Sequence, residues 1–164
     1  MRDGEMTPRP IQAPRASWQV YAVFFAVTTL AASVGGLIGP GTWYATLQKP
    51  TWTPPNGLFA PVWTLLYIMI AIAGARAWRA GSGVFTIGLW GLQLALNAAW
   101  TWLFFGLHRP DLALIDIVAL LIVIALFAGS VRRTSPASAV LVVPYLAWVS
   151  YATALNFAIW RMNG

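Results

Sequence analysis

Apolar residues run through this chain in five long blocks, at approximately 18 to 38, 58 to 79, 84 to 106, 111 to 131 and 138 to 160. Each is close to the roughly 20 residues a helix needs to cross about 30 Å of hydrocarbon at 1.5 Å rise per residue. The pattern predicts an all-α fold, an integral membrane bundle of five transmembrane helices. Three of the four connections are short, at 80–83, 107–110 and 132–137. Sequential helices must therefore run antiparallel as close neighbours. No internal repeat is evident, and an odd number of spans excludes a simple duplication of halves.

The first connection is the exception, at about 20 residues. It carries Trp43-Tyr44-Ala45-Thr46-Leu47-Gln48-Lys49-Pro50-Thr51-Trp52-Thr53-Pro54-Pro55. Pro50, Pro54 and Pro55 fix φ, remove backbone donors and disfavour helical geometry in the residue before each, which predicts an ordered, non-helical crossing. Three large amphipathic rings suit an interface or an aromatic ligand better than a solvated spacer. The expectation is a lid over the bundle. Residues 1–16 hold Pro8, Pro10 and Pro14 among charged side chains, and are expected to form a disordered tail ahead of a membrane domain at 17–164. The apolar span behind the tail runs too long for a signal peptide and ends in no cleavage pattern.

Composition sharpens this picture. Of 164 residues, 59% are hydrophobic and 9% charged, more apolar surface than a water-soluble domain of this size can hide. The chain has no Cys, which excludes disulfides, thiolate chemistry and cysteine-held metals. The net charge of +6 is scattered singly or in pairs between spans, so no basic patch for nucleic acid forms. Arg2, Arg9, Arg15, Arg76, Arg79, Arg132 and Arg133 fall on one side and Lys49, Arg109 and Arg161 on the other. By the positive-inside rule the N-terminus is cytoplasmic, while the lid and the C-terminus lie outside. A helical bundle also predicts a bacterial inner membrane, since outer-membrane proteins are generally barrels. Trp18, Trp43, Trp78 and Trp160 sit at span ends, where aromatic belts form.

Polar side chains inside spans are costly and therefore informative. Gln93, Asn97, Trp100 and Thr101 follow i, i+4, i+7, i+8 spacing in the third span, which places them on one face. Tyr145, Trp148, Ala152 and Asn156 (or Leu155) recur similarly in the fifth span, and Trp63 and Tyr67 are one turn apart in the second. The Gln93–Asn97–Trp100 face points to a cavity, because helix-to-helix contacts favour small neighbours over indoles. Asn156 fits a ligand contact and a helix bridge equally. Asp116, the one carboxylate within a span, fits a functional site or an interface near a helix start. His108 has no second ligand to share a metal and reads as a surface residue, so no metal site is expected. Small residues Ala31, Ala32, Gly35, Gly36, Gly88 and Gly91 offer close-packing faces. Conventional catalysis lacks a Ser-His-acid set, a carboxylate pair or a phosphate loop.

The run Trp43-Tyr44-x-x-Leu47-x-Lys49-Pro50-x-Trp52-x-Pro54-Pro55, followed by Pro61-Val62-Trp63-x-x-Leu66-Tyr67, strongly resembles the TspO/translocator protein family. So do Gln93-Leu94-Ala95-Leu96-Asn97-x-x-Trp100 with Phe104-Phe105-Gly106, and Pro144-Tyr145-Leu146-Ala147-Trp148 with Thr153-x-Leu155-Asn156 and Trp160-Arg161. The resemblance covers residues 35 to 161. It implies a five-helix bundle, a homodimer in contact with membrane lipid, and a pocket beneath the first connection for porphyrins, sterols and benzodiazepine-type ligands. The implied pocket positions are Trp43, Trp52, Tyr67, Asn97, Trp100, Trp148, Ala152 and Asn156. Porphyrin is implied as a ligand, with no covalent cofactor. Roles in tetrapyrrole handling or stress regulation follow from the resemblance, with two alternatives: light-dependent porphyrin degradation, where Trp52 and Trp148 would match the photochemical positions, and tetrapyrrole transport.

Two departures stand out. The family's sterol-recognition stretch needs a Tyr where this chain has Phe157, which weakens that inheritance. The third span reads Trp100-Thr101-Trp102 where relatives often carry proline, so the expected break there is absent or displaced.

Overall fold

A computed structural model describes residues 17–164; the expected disordered tail lies outside the described residues. The elements are α1 (Ser17–Leu37), α2 (Gly41–Thr46), α3 (Asn56–Arg79), α4 (Gly83–Thr101), α5 (Pro110–Val131), α6 (Pro136–Leu141) and α7 (Val143–Asn163), with a π-helical turn, Trp102–Gly106, continuing α4. Among the described residues every element is helical, as the apolar blocks predict. Helices α1, α3 and α5 and the joined α6–α7 unit of 28 residues are each long and apolar enough to span a membrane. Helix α4 is the fifth member of the bundle, its apolar run diluted by Gln93 and Asn97.

Three breaks have local causes. Pro144 stands at the start of α7, where its missing N–H removes a rung of the ladder and separates α6 from α7 at Val142. The α4 ladder shifts register without a proline: Leu107 N–H reaches the Trp102 carbonyl at 2.8 Å, five residues back. The break expected in this helix is thus displaced past Thr101 and takes the form of a π turn. The loop prediction needs correction. Residues 41–46 form α2, so the crossing is not wholly non-helical; the prolines restrict only their own neighbourhoods, and 41–46 contains none. Gly41 adopts φ +52 as the chain turns off α1, a backbone that glycine takes without steric cost. Pro50, Pro54 and Pro55 lie outside helices as expected.

The helices close into a ring in the order α1, α3, α6–α7, α5, α4 and back to α1. Its two ends are packed differently. Toward the α6 end, α3 presents Ala71, Ala73, Gly74, Ala75 and Ala77, all buried. Ser138 Oγ donates to the Ala73 carbonyl at 2.9 Å, and Ser82 and Thr134 hydroxyls pair at 2.7 Å across the two turns on that side. Small residues let these backbones approach closely. Gly74 is the tightest point: Phe24 of α1 and Trp90 of α4 meet over it with ring centroids 4.4 Å apart, and the Trp90 indole donates to the Ile70 carbonyl at 3.0 Å. Toward the α2 end the helices diverge around a hollow.

A Cβ at Gly74 would lie 2.6 Å from Trp90 Cε2 and 2.7 Å from Phe24 Cδ1. Gly74→Ala is therefore expected to destabilise the bundle by about 1–3 kcal/mol through overpacking. Thermal unfolding in detergent followed by circular dichroism checks this, and an unchanged midpoint would contradict the packing described.

Candidate functional site

The hollow is a cavity of about 500 Å³, within the range of roughly 300–1,000 Å³ typical of small-molecule pockets. Its lining comes from Ala32, Gly35 and Gly36 of α1, Pro40 and Tyr44 of the connection, Asn56, Phe59, Ala60, Trp63, Thr64 and Tyr67 of α3, Asn97, Trp100, Thr101 and Phe105 of α4 and its π turn, Ile117 and Leu120 of α5, and Trp148, Val149 and Ala152 of α7. None of these carries a charge. The surface is largely apolar and rich in rings; its polar side chains include Asn56, Thr64, Tyr67, Asn97 and Thr101, of which Tyr67 and Asn97 are bonded to each other.

Hydrogen bonds fix those polar atoms. Tyr67 Oη donates to Asn97 Oδ1 at 2.6 Å, and Asn97 Nδ2 reaches Tyr145 Oη at 3.5 Å. On the neighbouring wall, Trp100 Nε1 donates to Asn156 Oδ1 at 2.9 Å, while Asn156 Nδ2 donates to the Pro110 carbonyl at 2.8 Å. Indole can only donate and a carbonyl can only accept, so both ends of the Asn156 amide are determined. The Trp100 ring stacks on Phe104 at 5.1 Å, and Trp148 meets Phe59 edge-on at 5.8 Å.

The connection forms the roof. Tyr44 is buried against Phe104 and Phe105, and this burial raises the pKa of its phenol, with Tyr151 adding a smaller upward push. Lys49 Nζ lies 4.5 Å from the centre of the Tyr44 ring. Trp43 stacks on His108 at 4.3 Å. Farther along, Gln48 and Asn163 exchange two hydrogen bonds: Gln48 N–H donates to Asn163 Oδ1, and Asn163 Nδ2 donates to the Gln48 carbonyl, both at 2.9 Å. Tyr151 Oη donates to the Trp52 carbonyl at 2.7 Å. The stretch is thus ordered and turned toward the bundle.

A sequence profile of the TspO/MBR family matches residues 22–161. The chain belongs to the TspO/MBR family. It is similar to protein CrtK of Rhodobacter capsulatus, with 40% identity over 90% of this chain and 94% of the relative. It is also similar to the translocator protein of Sus scrofa, with 41% identity over 82% of this chain and 87% of the relative. The tryptophan-rich sensory protein of Cereibacter sphaeroides is 36% identical over 89% of this chain and 92% of the relative.

Of the positions that the TspO/MBR resemblance implies, Tyr67, Asn97, Trp100, Trp148 and Ala152 share the cavity wall. Three do not reach it. The Trp43 ring is taken up by His108 and Phe104. Trp52 is 46% exposed and meets Tyr151 edge-on at 5.6 Å. Asn156, buried, uses both amide ends to bridge α4, α7 and the start of α5. Gln93 also departs from its expected face: it borders a small void with Trp90, Phe127 and Tyr145, and its Oε1 has no hydrogen-bond partner among the described residues. Asp116 lies off the cavity as well. Sequence reasoning missed Phe59 and Phe105 and the α5 contributions Ile117 and Leu120. The Phe59-to-Trp63 and Trp63-to-Tyr67 spacing of one turn was the available signal for Phe59; Ile117 and Leu120 had none, being apolar residues in the most apolar span.

Two outcomes test this geometry. Trp100→Phe strands the buried Asn156 Oδ1 and should cost about 1–3 kcal/mol, read as a lower unfolding midpoint than wild type. Asn163→Ala removes both partners of Gln48, so amide hydrogen exchange at Gln48 should accelerate with little effect on the α3 core; unaltered exchange would show that the clamp does not hold the roof.

Proposed function

We propose that this protein is a receptor-like membrane protein that binds a flat, largely apolar molecule of the porphyrin class in the cavity beneath α2, with a role in tetrapyrrole handling or stress regulation. The observation that carries this reading is the cavity itself: about 500 Å³, uncharged, walled by indole and phenyl rings and floored by one hydrogen-bonded Tyr67–Asn97 pair. Rings such as Trp148 and Trp100 supply stacking area, and the Asn97–Tyr67 pair offers the few polar atoms that orient a ligand. Carboxylates of a tetrapyrrole would stay at the mouth, where α3 begins at Asn56. Names among the relatives, translocator and tryptophan-rich sensory protein, agree with a ligand-responsive membrane role. Sterols and benzodiazepine-type ligands belong to the same reading by resemblance. Basic residues favour a cytoplasmic N-terminus in a bacterial inner membrane. Self-association as a homodimer is also part of the reading, and Gly88 and Gly91 of α4 have open space beside them.

A second reading, light-driven porphyrin oxidation by dioxygen, is favoured by one arrangement. Trp148 stands on the cavity wall, Tyr151 lies 5.9 Å from it and Trp52 lies 5.6 Å beyond. Trp148 would reduce the excited ligand, the ligand anion would pass that electron to dioxygen to give superoxide, and the hole, shared among Trp148, Tyr151 and Trp52, would be filled by an electron from the ground-state ligand, so that the net transfer is one electron from porphyrin to dioxygen.

Titration of purified protein with protoporphyrin IX should quench tryptophan fluorescence to saturation. Trp148→Ala and Asn97→Ala should each weaken binding about ten-fold, equivalent to 1.4 kcal/mol; affinities equal to wild type would remove these residues from the site. Under illumination in air, Trp148→Phe and Trp52→Phe should bleach bound porphyrin more slowly than wild type. Equal bleaching in both variants and in protein-free solution would eliminate the second reading.

A further inference from the structure

The roof and the wall of the cavity are fastened unevenly. Among the described residues, every ring contact and side-chain hydrogen bond that ties the first connection to the rest of the bundle goes to the π turn of α4, the turn after it, or α7. The opposite side is held differently. Near the α6 end, α1 is locked to α3 by Phe24 over Gly74 and by the Tyr21 ring beneath Arg79, 5.8 Å away. Near the roof, α1 turns to α4 instead: the nearest neighbour of a Cβ at Gly35 would be Thr101 Oγ1 at 3.6 Å. On this side the cavity is bordered by Ala32, Gly35 and Gly36 of α1 and by Ala60 and Thr64 of α3.

The exposure of the lining follows this arrangement. On the α4, α5 and α7 walls the lining residues are buried or half-buried. On the facing lips, Gly36 and Pro40 on one side and Asn56, Ala60 and Thr64 on the other are exposed. Nothing lies within 4 Å of a Cβ built at Gly36. Thr64 Oγ1 donates to the Ala60 carbonyl at 2.8 Å, so its hydroxyl is satisfied within the helix, and the polar Asn56 stands at the roof end of this edge. Leu37, 86% exposed, and Leu65, 58% exposed, flank the opening. An unpaired polar rim would suit water; this rim suits acyl chains. Thr64 lies eight positions into α3, roughly 12 Å along its axis at 1.5 Å per residue, so the slit extends about that far below the roof.

We infer that the cavity is entered sideways from the bilayer, through the slit between the Gly36 lip of α1 and the Ala60–Thr64 lip of α3, and that its ligand is a membrane-dissolved molecule taken from the leaflet on the α2 side. The inference rests on the ligand-binding reading above and adds the route and the phase from which the ligand comes. The roof then acts as a fixed wall, and small residues on the lips set the width of what can pass.

The test is stopped-flow tryptophan quenching with protein in liposomes and protoporphyrin IX delivered in a second set of liposomes, followed by displacement to read release. Ala60→Leu narrows the slit and should slow association and dissociation together, each about ten-fold. Gly36→Leu, on the opposite lip, should act alike and serves where Ala60→Leu does not fold. Asn163→Ala, which unclamps the roof, should leave association at the wild-type rate. Wild-type rates in both lip variants, or faster association in Asn163→Ala, would overturn the lateral route and place entry under the connection while leaving the binding reading intact. No quenching of wild type at any concentration would overturn both.

Discussion

In hydrocarbon a carboxamide has no water to fall back on, and the structure on the α2 side is arranged around that constraint. Asn97 and Asn156 are both buried inside the bundle, and each is satisfied from other helices. Asn97 draws in Tyr67 from α3 and Tyr145 from α7; Asn156 draws in the Trp100 indole from α4 and the carbonyl of Pro110 at the start of α5. These bonds set the spacing of four helices at a level where side chains do not fill the centre. Individually, interhelical bonds of this kind contribute only about 0.6–2 kcal/mol. Their larger effect is geometric, because breaking one leaves a polar group stranded where lipid cannot replace the partner.

Much of this architecture was legible in the sequence because hydrophobic block length reports directly on span count, and i, i+4 spacing reports on shared faces. Asn97, Trp100 and Thr101 were placed together by that rule and share the wall. Gln93, one turn earlier on the same face, does not, since α4 passes from the hollow into the dense half of the bundle between the two amides. Periodicity describes a helix in isolation and contains no information about where the neighbouring helices diverge. The same limit explains Asn156 and Trp43, whose faces are inward but whose functional groups are occupied by Trp100, Pro110 and His108.

Two features had no sequence signal of the ordinary kind. Helix α2 occupies the only proline-free part of a proline-rich crossing, so the prolines bounded it without predicting it. The π turn at Trp102–Gly106 follows Thr101 without a proline. Its ladder gains one residue per turn and carries Phe104 into the core and Phe105 to the cavity without loss of a backbone donor.

The contrast between the two halves of the bundle has a mechanical meaning. In one leaflet the protein is a close-packed cylinder of alanine, glycine and serine contacts, which has little room to change its cross-section. In the other it is a hollow ring, with the cavity standing where packed side chains would otherwise be. Fewer side-chain contacts resist a change of width there, so by packing alone that half is the softer of the two. The molecule is in this sense stiff on one side of the membrane and compliant on the other.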